Sequence, residues 1–291
     1  MEYDYKYDLR ETVSDLFKCL VYSYLLSFLL LILRTFIASL LSLPAAMTEQ
    51  LEPILGYLDL GIPLLYLFIR LGRNYSFDTK SCFKRVAIKG RELLSLCCLD
   101  AGLVLLVILI ISFITVVVIM YIPEVGEIFE NVSPTNGLPA EILTAVVLAP
   151  IFEEIVFRGI LLNLLKPHGT RFAILLVSFL FAIGHPGPFG MLSAFIGSIL
   201  MCHIVLYYQS IWPTIGIHAL HNALGYFPDA LFVVLFLAIP CFFLYFLIKG
   251  DYKKYFKLPM IPNNPNCWAS LVSPGKIILV LLLMISSLVV G

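Results

Sequence analysis

Nine runs of apolar residues separated by short polar connections dictate what this chain can fold into. They fall at roughly 17–44, 51–71, 93–122, 140–165, 172–185, 189–208, 212–227, 230–248 and 276–290. A helix that crosses a hydrocarbon core needs about 20 such residues, because it rises about 1.5 Å per residue through about 30 Å. Most of the runs meet that length; the fifth, seventh and ninth fall short unaided. No single soluble core hides this much apolar surface in 291 residues that are 60% hydrophobic and 13% charged, with a mean hydropathy of +0.98. The expected fold is all-α, a polytopic transmembrane bundle of about eight or nine helices.

The polar connections carry an orientation signal. Arg70, Arg73, Lys80, Lys84, Arg85, Lys89 and Arg91 fill the second connection, Lys166 and Arg171 flank the fourth, and Lys249, Lys253, Lys254, Lys257 and Lys276 crowd the eighth. The third, 123–139, has no Lys or Arg and carries Glu124, Glu127 and Glu130. Basic and non-basic connections alternate as a multi-pass protein of the cell membrane with a cytoplasmic N-terminus requires. Residues 1–16, mixed in charge, read as an interfacial or loose tail, and the long run after Phe17 excludes a cleavable signal. The chain divides into 1–139, a tail and three flanking helices; 140–227, a central core; and 228–291, further helices with a basic loop. The basic loop holds a Pro/Asn-rich stretch at 262–266.

Lys plus Arg equals Asp plus Glu at 19 each, and the basic residues are accounted for by membrane orientation, so a nucleic-acid partner is not expected. The partners implied are the lipid bilayer and whatever membrane-associated peptide or protein the core acts on. Seven cysteines without a CxxC spacing read as small buried hydrophobes rather than a disulfide framework. The sequon at Asn131 is followed at once by Pro134 and is a chance match.

Ionisable residues inside apolar runs are costly, at least about 2.5 kcal/mol each on insertion scales, and so mark structural pairs or functional sites. Arg34, Asp59 and Asp100 each stand alone and read as helix-pairing groups. Glu153 and Glu154 stand together, with Arg158 four residues after Glu154, a spacing that lets those two pair on one helical face. Glu153 is turned about 100° away by the helical step and is left to face a cavity. His185 precedes Pro186, which places it at a helix end. His218 and Asn222, four apart, share a face; His221 is read as structural. A carboxylate facing a histidine can take a proton from water near neutral pH, and His plus Asn donors can stabilise an oxyanion.

Glu-Glu-x-x-x-Arg at 153–158, Phe-x-x-x-His at 181–185 and His-x-x-x-Asn at 218–222, in order on successive apolar helices, resemble the CAAX protease and bacteriocin-processing family. It is also called the Abi or type II CAAX prenyl endopeptidase family. The resemblance covers about 140–227, and 197–222, including Tyr207, Ser210-Ile211-Trp212-Pro213 and His218, resembles its bacterial branch. It implies an intramembrane glutamate protease without metal or covalent intermediate. Glu153 and His185 would activate the water, His218 and Asn222 would form the oxyanion hole, and Glu154 and Arg158 would order the site. The substrate would be a CAAX-type tail, or a bacteriocin or pheromone precursor.

Other readings stay open at this level. Glu153, His185 and His218 could hold zinc, although a His-Glu-x-x-His spacing is absent. Ser193, Ser198 or Cys202 beside His203 could supply a nucleophile, but no third orienting group is evident. Non-enzymatic readings are a bacteriocin self-immunity or membrane scaffold protein, or a proton-coupled transporter that uses the buried carboxylates as a relay.

Overall fold

A computed structural model of the protein describes residues 8–42, 44–75, 79–122, 139–226 and 229–290, and within them each apolar run forms a helix. The helices are α1 (Leu9–Leu40), α2 (Ala45–Asn74), α3 (Gly90–Tyr121), α4 (139–165), α5 (Thr170–Ala182), α6 (Gly187–Tyr208), α7 (Trp212–Leu224), α8 (Asp229–Lys249) and α9 (Pro274–Val290). No strand occurs among the described residues, as the all-α expectation requires. The acidic third connection and the Asn131 sequon lie outside the described residues.

The first helix begins earlier than the apolar run suggested. Asp8 accepts a hydrogen bond from the Glu11 N–H at 2.9 Å, capping the helix. Leu9, Val13, Leu16, Phe17 and Leu20 then repeat at helical spacing and are all buried. Residues 9–16 are therefore an amphipathic extension of α1 rather than a tail.

Among the described residues four helical stretches, Leu9–Leu40, Gln50–Asn74, Gly90–Tyr121 and Gly187–Tyr208, are long and apolar enough to cross a membrane. The outer halves of α1 and α3 expose Phe28, Leu29, Phe113 and Met120, as lipid-facing surfaces do. Helices α5 and α7 have 13 residues each and so rise only about 20 Å, less than the about 30 Å hydrocarbon core. The turn between α5 and α6, which contains His185, is non-helical backbone of the kind tolerated at membrane depth where it lines a cavity.

Helix α4 is not a uniform α-helix. It runs through α (Pro139–Leu143), π (Thr144–Leu148), α (Ala149–Glu153), π (Glu154–Leu161) and α (Leu162–Leu165) turns, then a 3₁₀ turn at Lys166–His168. The first π segment has a local cause in Pro150, which has no N–H to donate. The Ala149 N–H reaches back five residues to the Thr144 carbonyl, and in that register Pro150 falls opposite the Ala145 carbonyl and leaves it without its donor. In the second segment the carbonyl of Gly159 is taken by the side chains of Asn163 at 3.0 Å and Cys82 at 3.0 Å. Such π segments cluster at functional sites because they reset side-chain direction within an otherwise regular helix.

One core joins α1, α2, α4, α5 and the start of α7 around Val13, Leu16, Phe68, Leu161, Phe172 and Ile211. A second joins α3, α6, α7 and α8 around Leu96, Leu99, Leu200, Ile204, Ile217 and Phe243. Helices α3 and α8 approach so closely that a Cβ on Gly102 would lie 2.4 Å from the Phe243 ring. The Pro/Asn-rich stretch read as a loop is tied over the α4–α5 junction. The Thr170 and Ile261 backbones bond at 3.1 Å, and the Asn263 side chain packs on Gly169, whose φ of 138° suits only glycine.

Candidate active site

Three helices and one turn bring the singled-out residues together. Glu154 and Arg158, 0% and 1% exposed, pair at 3.0 Å within the second π segment, as the four-residue spacing predicted. Their burial matters because breaking a buried pair strands a charge, at a cost of about 3–5 kcal/mol. Arg158 also lies over the Phe181 ring, 4.1 Å from its centroid, and Phe181 contacts His185 at 4.6 Å and His218 at 5.8 Å. The phenylalanine of the Phe-x-x-x-His pattern is thus the ring on which the guanidinium and both imidazoles assemble.

His218 connects the two acids. Its Nδ1–H donates to Glu154 Oε1 at 3.1 Å, and its Nε2 lies 3.8 Å from Glu153 Oε2. The sequence assigned Glu154 to Arg158 alone; the structure makes it the anchor of His218 as well. With Nδ1 held by a carboxylate, the ring is fixed in orientation. The 3.8 Å gap is too long for a hydrogen bond and leaves Nε2 for another partner. Glu153, 21% exposed at its side chain, also accepts from the Tyr57 hydroxyl of α2 at 3.4 Å.

His185 sits three residues past the end of α5, with Pro186 capping α6 as predicted. Its Nδ1 donates to the Phe181 carbonyl at 2.9 Å, which leaves Nε2 as the ring's acceptor. His185, His218, Asn222 and Glu154 line one cavity of about 160 Å³ between α3, α4, α6 and α7. Glu153 lies on the far edge of the His218 ring, toward Tyr57.

Asn222 is more committed than its spacing implied. Its Nδ2 donates to the Ala145 carbonyl at 2.7 Å, the carbonyl that Pro150 and the π register leave without a backbone donor. One of its two amide N–H groups is thereby spent on α4, and the other remains for a ligand.

Of the other candidates, Ser193 and Ser198 line the cavity, and Ser198 Oγ has no hydrogen-bond partner. Cys202 is buried, 4.0 Å from Ser178 Oγ, and His203 Nδ1 is bound to the Ile199 carbonyl at 2.8 Å. Among the described residues no disulfide joins any of the seven cysteines. Among the described residues no three His, Cys, Asp or Glu side chains converge as a metal ion would require. Sequence reasoning missed Tyr57, which no local signal marks. It also missed the place of Asp100 and His221, set aside as structural. They do pair helices, at 2.7 Å across α3 and α7, but they also line the cavity.

With this geometry in place, comparison with known proteins is informative. A family model described as Type II CAAX prenyl endopeptidase Rce1-like matches residues 135–224. No curated protein and no solved structure matches. The matched stretch contains Glu153, Glu154, Arg158, His185, His218 and Asn222 and both π segments, and it points to a membrane protease. Over residues 135–224 the chain is similar to the Rce1-like type II CAAX prenyl endopeptidases.

Proposed function

We propose that the protein is an intramembrane endopeptidase that hydrolyses a peptide bond of a membrane-associated peptide or protein through a water activated by Glu153 and His185. The observation that carries the reading is His218, held by the buried Glu154–Arg158 pair at one nitrogen and directed toward Glu153 at the other, beside a cavity that His185 and Asn222 share.

In this reading Glu153 accepts a proton from a water that His185 Nε2 orients, and the hydroxide adds to the substrate carbonyl carbon. The oxyanion is met by the His218 Nε2–H and by the unspent N–H of Asn222. The proton held by Glu153 passes to the leaving amine as the C–N bond breaks. No metal and no covalent intermediate is assigned. The substrates that fit are CAAX-type tails or bacteriocin and pheromone precursors, and the basic connections support a cytoplasmic N-terminus.

Mass spectrometry of membrane peptides from cells with wild-type or Glu153→Gln protein tests this. Fragments that accumulate only with the wild type are expected. Identical peptide inventories, with both proteins inserted and folded, overturn it.

A further inference from the structure

The cavity has a second acid–histidine pair on the wall away from Glu154. Helix α7 presents His218 to α4 and, three residues on, His221 to α3, where His221 Nδ1–H donates to Asp100 Oδ2 at 2.7 Å. Asp100 is 2% exposed, yet its other oxygen, Oδ1, has no hydrogen-bond partner. Ser198 Oγ, on the α6 face of the same cavity and 1% exposed, has none either. A buried carboxylate oxygen without a donor carries its full desolvation cost, and native structures keep such groups where something else completes them.

The chemistry of what is missing can be read from what is present. Asp100 Oδ1 is an acceptor without a donor, and the Ser198 hydroxyl accepts as readily as it donates. The wall has a surplus of acceptors and asks for donors. Of the two acids that line the cavity, Glu154 holds Arg158, the one permanent cation among the lining residues, whereas Asp100 holds only the titratable His221. Room is left by α6, which presents Gly190, Ala194 and Gly197 there. At Gly197 an ideal Cβ would stand 3.2 Å from Asp100 Oδ1, so even alanine would crowd the oxygen.

We infer that Asp100 and His221, with Ser198, form a subsite for a basic side chain, lysine or arginine, of the peptide whose bond the Glu153 group hydrolyses. The inference rests on the function proposed above and adds a substrate preference to it. A lysine ammonium or arginine guanidinium supplies the donors that Asp100 Oδ1 lacks and neutralises the buried carboxylate, whereas a glutamine supplies donors without the charge.

The test uses the full chain in nanodiscs and one Leu/Ala-rich fluorescent membrane peptide carrying Lys, Arg, Gln or norleucine at each of several successive positions. Binding is read by anisotropy on the Glu153→Gln protein, which removes cleavage, and kcat/KM is read on the wild type. At one position Lys and Arg peptides are expected to bind roughly ten-fold tighter than Gln, as hydrogen bonds to charged groups warrant, and that ratio is expected to collapse toward 1 when Asp100→Asn is added. Gly197→Ala, which crowds Oδ1 without removing its charge, is expected to lower the same ratio and decides the matter if Asp100→Asn does not fold. A ratio near 1 in the parent protein, or one that survives the folded variants, overturns the subsite. Selective binding without any cleavage by the wild type would instead overturn the proposed function, and cleavage indifferent to basic residues would overturn only the subsite.

Discussion

Two arginine clusters lie within the apolar helices, and they differ in what they leave undone. Arg34 of α1 reaches α2, where its Nε meets Asp59 at 2.8 Å and its two terminal nitrogens take both oxygens of Glu52. Glu52 is 57% exposed at its side chain, both partners are carboxylates, and the donors find acceptors. Arg158 is buried, its Nε has no partner, and Glu154 Oε2 has none. The nearby Thr214 hydroxyl gives its proton to the Ile211 carbonyl instead. What the second cluster has in exchange is a histidine on Glu154 and a cavity beside it. A satisfied cluster acts as glue between helices; one held short of satisfaction, handed to a titratable ring beside a cavity, is equipped for chemistry.

The largest expected separation between the two is in activity. Glu153→Gln is expected to lower kcat/KM by about 10²–10⁴, the range for removing a general base, while Glu52→Gln with Asp59→Asn leaves cleavage of a reporter peptide intact. Equal losses in the two variants would erase the distinction. Stability should separate them next. Arg158→Met leaves Glu154 buried without its counter-charge and is expected to cost about 3–5 kcal/mol. Arg34→Met, whose partner Glu52 is 57% exposed, is expected to cost less. Thermal unfolding in one detergent reads both.

The helices and the Glu154–Arg158 pair were legible in the sequence because they rest on local periodicity, and so was the His185 turn, which rests on Pro186. The long-range partners were not. Tyr57 and Asp100 reach the site from α2 and α3, and nothing in their own neighbourhoods tells which helix they will face. Asn222 lies between these cases. Its face was predicted, but its bond to Ala145 follows from the π register, and an apolar run that tolerates α and π turns alike does not reveal that register. Pro150 is the one local sign of it, since a proline inside a helix must orphan a carbonyl somewhere. Asn222→Ala should therefore act twice. It is expected to cost about 1–3 kcal/mol of stability, because the Ala145 carbonyl is left unpaired, and to lower kcat by about 10²–10³ if the second amide N–H serves the oxyanion. A stability loss with kcat unchanged would reduce Asn222 to a cap for α4.

The smallest effect lies outside both clusters and gives a reference for burial without a site. His168, in the 3₁₀ turn at the end of α4, is fully buried, and burial holds its imidazole below the ordinary histidine value, with Asp8 opposing only in part. A base whose folded pKa is depressed binds its proton more readily when unfolded. Stability is therefore full above the ordinary value near 6.5 and declines as pH falls below it toward the folded pKa. The melting temperature is expected to be lower at pH 5.5 than at pH 7.5, with a smaller drop in His168→Gln. An equal drop in the two proteins would assign the acid sensitivity to other groups. Read beside the Arg158 cluster, His168 shows why burial alone does not make a site. It is as buried as Glu154, but its shift expresses chiefly a lost hydration shell, and it is not among the residues that line the cavity.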